Sequence, residues 1–549
     1  MFQSNTSSLN PVVFSSERLL FTPATADDHA IPTIFAFPNQ YNVGITSLGY
    51  QIVWASLALR PDLRVSRLFT DYHEPLPRHP ELLGYSISWE LDYVNILGGL
   101  EFLEIPLYSA QRDSSHPLVF GGGPVLTANP EPFADFFDVI LLGDGEILLD
   151  NFIDAYQEVR TAERNTQLQH LAQVPGVYIP SLYQVTYHDL TSAIASIKPV
   201  CDQIPATVSK QTYRGNTLSA STVVTEKAAW ENIYMVEVVR SCPEMCRFCL
   251  ASYLTLPFRT PSAIDSLIPA IERGLKVTDR IGLLGASVTQ HPEFDVLLDY
   301  LNQPQYDHVR LSIASVRTNT VTEKLAQTLT KRNTRSITIA VESGSQRLRE
   351  IINKKLTNDQ IIQAAVNTKA GGLKRLKLYG MVGVPGEEIA DVEETVAMME
   401  QIKKAAPGLG LTLGCSTFVP KAHTPFQWFG VNPEAQKRLK LLQKKLRTQA
   451  IDFRPESYNW SVIQALISRG DRRLSQLLEL TRHYGDSLGS FRRAFKQLRG
   501  QIPELDFYVY TDWSTEQVLP WSHLLGPLPQ ATLLKHLGAA KALGAGNGE

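Results

Sequence analysis

Short apolar runs alternate with helix-compatible stretches in the first part of the chain, from about residue 33 to residue 178. Three of these runs, Leu82–Ser88, Pro117–Gly123 and Asp138–Gly143, each end at or near glycine or serine. Strands that stop at small residues and alternate with helices predict a parallel, Rossmann-like sheet. Ligands of such sheets lie over the carboxyl ends of the strands, so Gly121–Gly123 is either part of a ligand pocket or a plain tight turn.

A second and more regular series of strand and helix patterns follows. Its six strand patterns are Tyr234–Arg240, Arg280–Leu284, Val309–Ser315, Ser336–Val341, Arg375–Val384 and Leu411–Phe418. Helical patterns such as Pro261–Gly274 and Thr357–Ala370 fill the gaps between them. This repetition predicts a partial (βα)6 TIM-like barrel, whose chemistry should lie in the loops at the carboxyl ends of the strands.

The remaining segments connect these regions and close the chain. The segment before the barrel is rich in Ser, Thr and Ala, which is typical of a linker with a few short strands. The last segment starts with a charged helical pattern and ends in a Gly- and Ala-rich tail. We therefore predict an α/β protein in four parts: a Rossmann-like domain (1–180), a linker (181–230), the barrel (231–430) and a mainly helical domain (431–549).

Composition fits an ordinary globular protein of several domains. Among 549 residues, 44% are apolar and 19% are charged, so burial of sizeable cores is available. The formal net charge of −3 gives no argument for a general nucleic-acid or membrane-surface binder. No apolar stretch approaches the roughly 18 residues of a membrane span, and residues 1–20 lack the pattern of a signal peptide. We expect a soluble cytoplasmic protein without a membrane partner.

The distribution of the five cysteines points to a metal centre. Cys201 and Cys415 stand alone, whereas Cys242, Cys246 and Cys249 form a C-x3-C-x2-C motif directly after the first predicted barrel strand. Three thiolates at this spacing suit a cubane iron–sulfur cluster in which each binds one iron and the fourth iron has no protein ligand. The alternative is a structural zinc site with Cys201, Cys415 or a histidine as fourth ligand.

This motif, with an aromatic residue before its last cysteine and a barrel strand ahead of it, resembles the radical S-adenosylmethionine (SAM) superfamily. The resemblance implies a 4Fe-4S cluster on Cys242, Cys246 and Cys249, whose open iron is chelated by the amino and carboxylate groups of SAM. It also implies reductive cleavage of SAM to a 5′-deoxyadenosyl radical, which abstracts hydrogen from an unactivated carbon of the substrate. A flavodoxin- or ferredoxin-type donor would supply the electron.

The same resemblance implies six cofactor-binding residues: Phe248, Ala286, Ser287, Glu342, Ser343 and Val384. Ala286 and Ser287 occupy the loop that binds the methionine amine, although the acidic residue usual in that loop is missing. Glu342 matches an acidic ribose contact, the alternative being a residue at a helix N-terminus. Val384 matches a small apolar adenine contact. Phe248 either lies against the adenine or is an ordinary packing aromatic.

The N-terminal region resembles the sheet domain of the cobalamin-binding branch of this superfamily, within an incompletely characterised group. The shared stretches are Asn39–Gly49, Ser86–Asn95, Gly122–Pro124, Pro130–Asp138, Gly143–Glu146, Val419–Trp428, Ser468–Arg473 and Leu519–Trp521. The cobalamin motif DxHxxG is approached only by the run Asp71–Leu76, which has leucine in place of the glycine. We therefore predict that His73 is a surface or turn histidine, and cobalamin remains an open alternative.

Two further sites have more than one interpretation. His423, after the sixth strand, is either a barrel-mouth histidine that binds substrate or transfers a proton, or a packed loop histidine. The run Ser468–Arg473 either binds phosphate or carboxylate, or forms an Arg–Asp network that closes the C-terminal helices on the barrel.

The sequence does not identify the substrate, and several functions stay open. The main hypothesis is a radical SAM enzyme acting on an unidentified substrate. The enzymatic alternatives are a cobalamin-dependent radical methyltransferase and an RNA-modifying radical enzyme, so a nucleic-acid partner is left undecided. The chain has no second cysteine triplet for an auxiliary cluster, which weighs against RNA modification. The non-enzymatic alternative is an iron–sulfur scaffold or ligand sensor.

Overall fold

The apolar runs of the N-terminal region form one six-stranded sheet in the computed structural model, which describes residues 12–215, 218–314 and 316–545. From edge to edge its strands are Leu63–Leu68, Ile31–Ala36, Leu82–Ser86, Leu118–Gly122, Val139–Leu141 and Val177–Tyr178. The first five are parallel and the last is antiparallel. The predicted Rossmann-like sheet is thereby confirmed.

Strand order reverses at the strand Ile31–Ala36: the second strand along the chain lies on one side of it and the third strand lies on the other. A ligand crevice is expected at such a switch point, beyond the carboxyl ends of the strands. The helices of this region are Val12–Ser15, Tyr41–Gly44, Leu48–Ala58, Tyr93–Phe102, Pro124–Ala128, Gly145–Val159 and Arg164–Leu171. Short 3-10 segments cover Glu90–Asp92, Ser109–Gln111, Glu131–Phe136 and Pro180–Leu182.

Helix Gly145–Val159 shows why these sequences form these elements. Its apolar residues recur at helical spacing, so Leu148, Phe152 and Tyr156 are buried on one face. Phe152 packs against Phe120 of the sheet, with 5.1 Å between the ring centroids. This packing fixes the helix N-terminus above the carboxyl ends of the strands.

Short strands tie the connecting segment to both ends of the chain. Tyr183–Tyr187 pairs with Ile194–Pro199 in an antiparallel ribbon. Val208–Ser209 pairs with Leu524–Leu525, and Val223–Val224 pairs with Arg18–Leu19. The segment therefore contacts the N-terminal and C-terminal regions rather than running free between them.

The central βα series forms an arc of seven parallel strands. They are Ile233–Glu237, Arg280–Leu284, Arg310–Ile313, Ser336–Glu342, Arg375–Val382, Gly410–Thr417 and Asp452–Pro455. The first three and the last four form separate sheets, which a single parallel bridge between Val316 and Ile339 connects. Within the described ranges, the first and seventh strands do not pair with each other. The six predicted strands and the partial barrel are confirmed, and the seventh strand was not predicted.

Helices cover the outside of this arc. They are Leu250–Tyr253, Ala263–Leu267 (a π-helix), Ile268–Leu275, Phe294–Leu301, Glu323–Lys331, Gln346–Ile351, Asn358–Ala370, Ile389–Ala405 and Ala435–Thr448, with 3-10 turns at Val288–Gln290, Pro304–Tyr306 and Thr318–Thr320. Outward strand residues such as Ile281, Leu376 and Leu378 are buried in the core beneath the helices. The alternate positions on each strand therefore face the lumen of the barrel.

The C-terminal region is mainly helical, with helices Tyr458–Arg469, Leu474–His483, Leu488–Gln497, Leu505–Val509 and Gln530–Ala545. No helix among the described residues is long and apolar enough to cross a membrane.

The run Ser468–Arg473 is a structural network. Arg469 donates hydrogen bonds to the carbonyl oxygens of Tyr508 (2.7 Å) and Thr511 (2.9 Å) within the C-terminal region. Arg472 pairs with buried Glu131 at 3.2 Å. The Ser468 hydroxyl accepts a hydrogen bond of 2.9 Å from Lys421, in the segment after the sixth barrel strand. The network alternative is therefore correct, and the network joins the C-terminal helices to the N-terminal region as well as to the barrel.

Candidate active site

The cysteine motif lies in the loop between the first barrel strand and helix Leu250–Tyr253. Ser241 and Met245 adopt left-handed backbone conformations, with φ of 72° and 56°. Such conformations are uncommon for residues other than glycine and reverse the chain locally. They let a loop of eight residues turn its three cysteines, Cys242, Cys246 and Cys249, toward one side.

Residues after helix Gln346–Ile351 hold this loop in place. The Asn353 side-chain amide donates hydrogen bonds to the carbonyl oxygens of Glu244 (3.2 Å) and Met245 (2.8 Å). The Tyr253 hydroxyl donates to the same Met245 carbonyl at 3.1 Å. These contacts satisfy backbone groups that a loop of this shape leaves without ladder partners.

A second set of contacts attaches the loop to the ends of neighbouring strands. The Glu244 carboxylate pairs with Arg317 at 3.0 Å and accepts a hydrogen bond from the Gln290 amide at 2.5 Å. Arg317 also donates to the Lys355 carbonyl oxygen at 3.0 Å. The loop is therefore anchored on both sides, which pre-organises the positions of its thiols.

The three cysteines face a cavity of about 330 Å³ at the mouth of the barrel. Four of the predicted cofactor-binding residues also line it: Phe248, Ala286, Ser287 and Glu342. The structure thus brings together, from three separate loops, residues that lie up to a hundred positions apart in the sequence. Further lining residues that the sequence analysis missed are Ser252, Arg317, Thr338, Lys354 and Tyr379.

Two predicted residues do not line this cavity. Ser343 is buried, and its carbonyl oxygen accepts a hydrogen bond from Arg349 at 2.7 Å. Val384 is buried in a hydrophobic cluster with Met381 and Phe418. Both residues support the loops behind the cavity, so direct cofactor contact by either one stays a prediction without support from the geometry.

Glu342 ends the fourth barrel strand in a left-handed conformation with φ of 65°, at a point where the strand register shifts. The next helix is capped by the Ser345 side chain, so Glu342 is not its capping residue. Its carboxylate instead accepts a hydrogen bond from Lys354 at 3.0 Å. Burial alone would lower the pKa of Lys354, but Glu342 and Cys246 outweigh burial and raise it.

Of the three cysteines, Cys246 is buried, and Cys242 and Cys249 are partly buried. Burial raises the pKa of Cys246 to about 12 and also raises the pKa of Cys249, so their thiolates need a cation nearby. The Ser252 hydroxyl, fully buried in the same cavity, has no hydrogen-bond partner among the described residues. Three soft ligands and an unpaired hydroxyl on one wall fit a 4Fe-4S cluster, whose inorganic sulfides accept hydrogen bonds.

The zinc alternative finds no fourth ligand. In the part of the chain that the structure describes, the cavity wall carries no further cysteine or histidine. Cys415 lies in the sixth barrel strand, where it is buried in the hydrophobic core. No three His, Cys, Asp or Glu side chains of the described ranges converge on one ion position. A cubane does not need such convergence, because each thiolate binds a different iron.

A second cavity, of about 400 Å³, lies between the N-terminal sheet and the first two barrel strands. Its wall includes Gly122, Gly123 and Gly143 at strand ends on one side, and Arg240 and Gly285 on the other. Gly285 directly precedes the two loop residues of the first cavity, and Arg240 lies two residues before the cysteine motif. The two cavities are therefore separated only by these short segments of chain.

The glycine run of the N-terminal sheet serves both roles that the sequence left open. Gly122 and Gly123 line the second cavity, whereas Gly121 packs against Phe137 in the interior. Gly123 has φ of 111°, and a Cβ atom there would lie 2.4 Å from the Ile87 carbonyl oxygen. The turn therefore needs glycine, and the same turn forms a cavity wall.

Charged residues join the two domains at this second cavity. Arg240 pairs with Glu146 at 2.6 Å and with Glu237 at 2.8 Å. Asp144 pairs with Arg259 at 2.8 Å. The Gly143–Glu146 stretch was noted in the sequence, but its partners come from the barrel and only the fold brings them close.

The two histidines with open roles lie outside both cavities. The His73 Nδ1 atom is 2.8 Å from the carbonyl oxygen of Glu74, as expected for a turn histidine. The His423 backbone N–H donates to the Gln427 side chain at 2.8 Å, and burial lowers the pKa of the His423 imidazole to about 4. His423 is thus the packed loop histidine of the two alternatives.

Two family models match the chain. "Radical SAM proteins, N-terminal" matches residues 65–180, and "Radical SAM superfamily" matches residues 236–399, the segment with the cysteine motif. The chain belongs to the radical SAM superfamily. As a radical SAM enzyme it uses a 4Fe-4S cluster and S-adenosylmethionine, and it needs a reductant and a substrate.

The chain is also similar to several other proteins. A Methanocaldococcus jannaschii protein described as uncharacterised is 27% identical over 449 residues, which cover 81% of this chain and 90% of that protein. A Pyrococcus horikoshii protein described as an uncharacterised methyltransferase is 23% identical over 306 residues, 53% of this chain and 60% of that one. Among solved structures, the radical SAM methyltransferase TsrM from Kitasatospora setae, with cobalamin and a 4Fe-4S cluster bound, is 14% identical. That match covers 73% of this chain and 74% of TsrM, with a TM-score of 0.49.

Proposed function

We propose that Cys242, Cys246 and Cys249 hold the 4Fe-4S cluster and that SAM binds beside them in the 330 Å³ cavity. The observation that carries this proposal is the convergence of the three cysteines with Phe248, Ala286, Ser287 and Glu342 on one cavity. When bound, the reduced cluster supplies the electron that cleaves SAM to a carbon radical able to attack an unactivated C–H bond. We further propose that the chain divides into four parts, with boundaries at residues 180, 230 and 430.

The chain's own residues then bind and orient SAM. The Glu342 carboxylate, which is paired with Lys354, accepts hydrogen bonds from the ribose hydroxyls. The backbone at Ala286 and Ser287 binds the methionine amine through its carbonyl oxygens, which replaces the missing acidic residue. The Phe248 ring packs against the adenine.

The second cavity favours one further candidate, a cobalamin-dependent radical methyltransferase. Glycines at the strand ends permit close approach of a large ring system, and the cavity adjoins the proposed SAM site. No histidine lines this cavity among the described residues, so cobalamin would bind without a histidine on cobalt. Cobalt content of the purified protein separates this candidate from a cobalamin-free enzyme.

We propose a flavodoxin or a ferredoxin as the electron donor. Because such donors are kept reduced in the cytoplasm, we propose that the enzyme works there. RNA modification would require a site in the barrel lumen that binds a phosphate-bearing substrate. A scaffold or sensor would change redox state without turnover, and product formation therefore distinguishes it from an enzyme.

The proposal is tested by anaerobic reconstitution, followed by incubation with SAM and dithionite and assay of 5′-deoxyadenosine by mass spectrometry. We expect the wild type and the control variant Cys201→Ala to form the product. Cys246→Ala should lose both the cluster and the product. A Cys246→Ala protein that keeps its full iron content and visible absorbance would show that the ligand assignment is wrong.

A further inference from the structure

The lumen of the barrel is lined by small side chains near the proposed SAM site. Ala314, Thr338 and Ala340 line the cysteine-containing cavity, and the exposed residue Ser312 occupies an inward position on the third strand. A closed TIM barrel fills its interior with layers of bulky side chains. Here the interior next to the cluster loop is left open for a molecule other than the protein.

One strand carries a line of larger polar residues into this lumen. On strand Arg375–Val382, Leu376 and Leu378 are buried outward, so Arg375, Lys377 and Tyr379 face inward. Tyr379 lines the cysteine-containing cavity, yet 59% of its surface is exposed. Two residues along a strand span about 7 Å, so Lys377 lies about 7 Å and Arg375 about 13 Å below Tyr379.

More cations face the same space. Arg280 and Arg310 are directly opposite each other on neighbouring strands, and both occupy inward positions. Like charges placed opposite each other destabilise a sheet. Among the described residues, no acidic side chain pairs with Arg310, Arg375 or Lys377, and Arg280 reaches only Glu231 at 4.0 Å. An arrangement that costs stability and lacks counter-charges suits an anionic ligand.

We infer that the barrel lumen binds the anionic group of the substrate, a phosphate or carboxylate, through Lys377, Arg375 and Arg310. This inference rests on the proposed function, because it places the reacting carbon beside the SAM site, near Tyr379. The Tyr379 ring contacts the part of the substrate between the anion and that carbon. The substrate is thus an elongated molecule whose anionic group lies roughly 7 to 13 Å from the reacting position.

This arrangement is tested on the reconstituted enzyme with SAM present, using calorimetric titration with two probes, pyrophosphate and citrate. The double variant Arg375→Gln/Lys377→Gln should bind the preferred probe at least about tenfold more weakly than wild type, because charge-assisted hydrogen bonds are lost. Lys440→Gln, which removes an exposed unpaired lysine from an outer helix, should bind as wild type does. Preference for pyrophosphate assigns a phosphate-bearing substrate, RNA included, and preference for citrate assigns a carboxylate.

Two controls separate failure of this inference from failure of the proposed function. Iron content and 5′-deoxyadenosine formation without substrate report on the cluster and SAM site alone. If these are normal and the wild type binds neither probe, or the double variant binds as tightly as Lys440→Gln, the lumen inference is overturned while the proposed function stands. Arg310→Gln should keep or raise the Tm, because it removes a like-charge contact; a clear fall would show that Arg310 is needed for the fold instead.

Discussion

Lys354 donates a hydrogen bond of 3.0 Å to Glu342 on the wall of the cavity that Cys246 also lines. The pair joins the end of the fourth barrel strand to the segment that holds the cysteine loop. The same interaction therefore links the position of the cysteine loop to that of the proposed ribose contact.

Replacing Glu342 by Gln should weaken SAM binding without removing the cluster. The neutral amide accepts weaker hydrogen bonds than the carboxylate and leaves Lys354 buried without a counter-charge. We expect the free energy of SAM binding to fall by about 1.5–3 kcal/mol, or roughly 10- to 100-fold in Kd. Equilibrium dialysis of SAM against reconstituted protein, with iron measured on the same sample, gives the comparison. Unchanged SAM affinity at full iron content would remove Glu342 from the site.

Asn353→Ala should lower cluster occupancy because the Glu244 carbonyl in the cysteine loop loses this donor and the Met245 carbonyl keeps only the Tyr253 hydroxyl. Asn367 is a matched control, since its amide also donates to a backbone carbonyl, that of Val321 at 2.8 Å, but far from the loop. Each variant should cost about 1 kcal/mol of stability. Only Asn353→Ala should lose iron after reconstitution, and equal iron in the two variants would contradict the anchoring role.

Ser252→Ala should shift the reduction potential of the cluster to a more negative value. Its buried hydroxyl has no partner among the described residues, so a cluster sulfur is the acceptor that the cavity offers. Hydrogen bonds to the sulfurs stabilise the reduced form. Thr417→Val removes another buried hydroxyl that lacks a partner but lies outside the cavity. Potentiometric titration followed by EPR should show the shift for Ser252→Ala alone, and equal potentials would mean that Ser252 does not contact the cluster.

His523 should make the fold sensitive to mild acid. It is buried against Tyr178 and Tyr183 near the Glu131–Arg472 pair, and burial lowers the pKa of its imidazole to about 4. The unfolded chain binds this proton near pH 6.5, so stability is complete above that pH and falls as the pH drops toward 4. Between pH 7 and pH 5 the loss is about 2 kcal/mol. Urea unfolding at pH 7 and pH 5 should show this loss of unfolding free energy in the wild type. The variant His523→Phe keeps an aromatic ring at this position but has no imidazole to protonate, so its unfolding free energy should fall by about 2 kcal/mol less.

The sequence predicted those parts of the fold that a local pattern encodes. The first six barrel strands are apolar runs, and the cysteine spacing is itself a local motif. The seventh strand, Asp452–Pro455, has one apolar side chain in four residues and ends in proline, so no strand pattern marks it. Its hydrogen bonds to the sixth strand decide its conformation instead.

Much of the candidate site depends on chain segments that return from elsewhere. Lys354, Asn353 and Arg317 show no motif, because their functional positions are set by the turn after helix Gln346–Ile351 and by the end of the third strand. The family resemblance implies Ser343 as a cofactor contact, but the cavity wall does not include it. Lys377 and Tyr379 alternate with apolar residues along their strand, which places them on one face of it. Only the fold shows that this face lines an open lumen.

The most direct test of the central claim is the EPR spectrum of the reduced, reconstituted protein before and after addition of SAM. If the three cysteines leave one iron open, SAM binds that iron, and we expect the 4Fe-4S signal to change shape and g values on addition. Glu342→Gln should need a higher SAM concentration for the same change. A 4Fe-4S signal that is identical with and without saturating SAM would contradict the account.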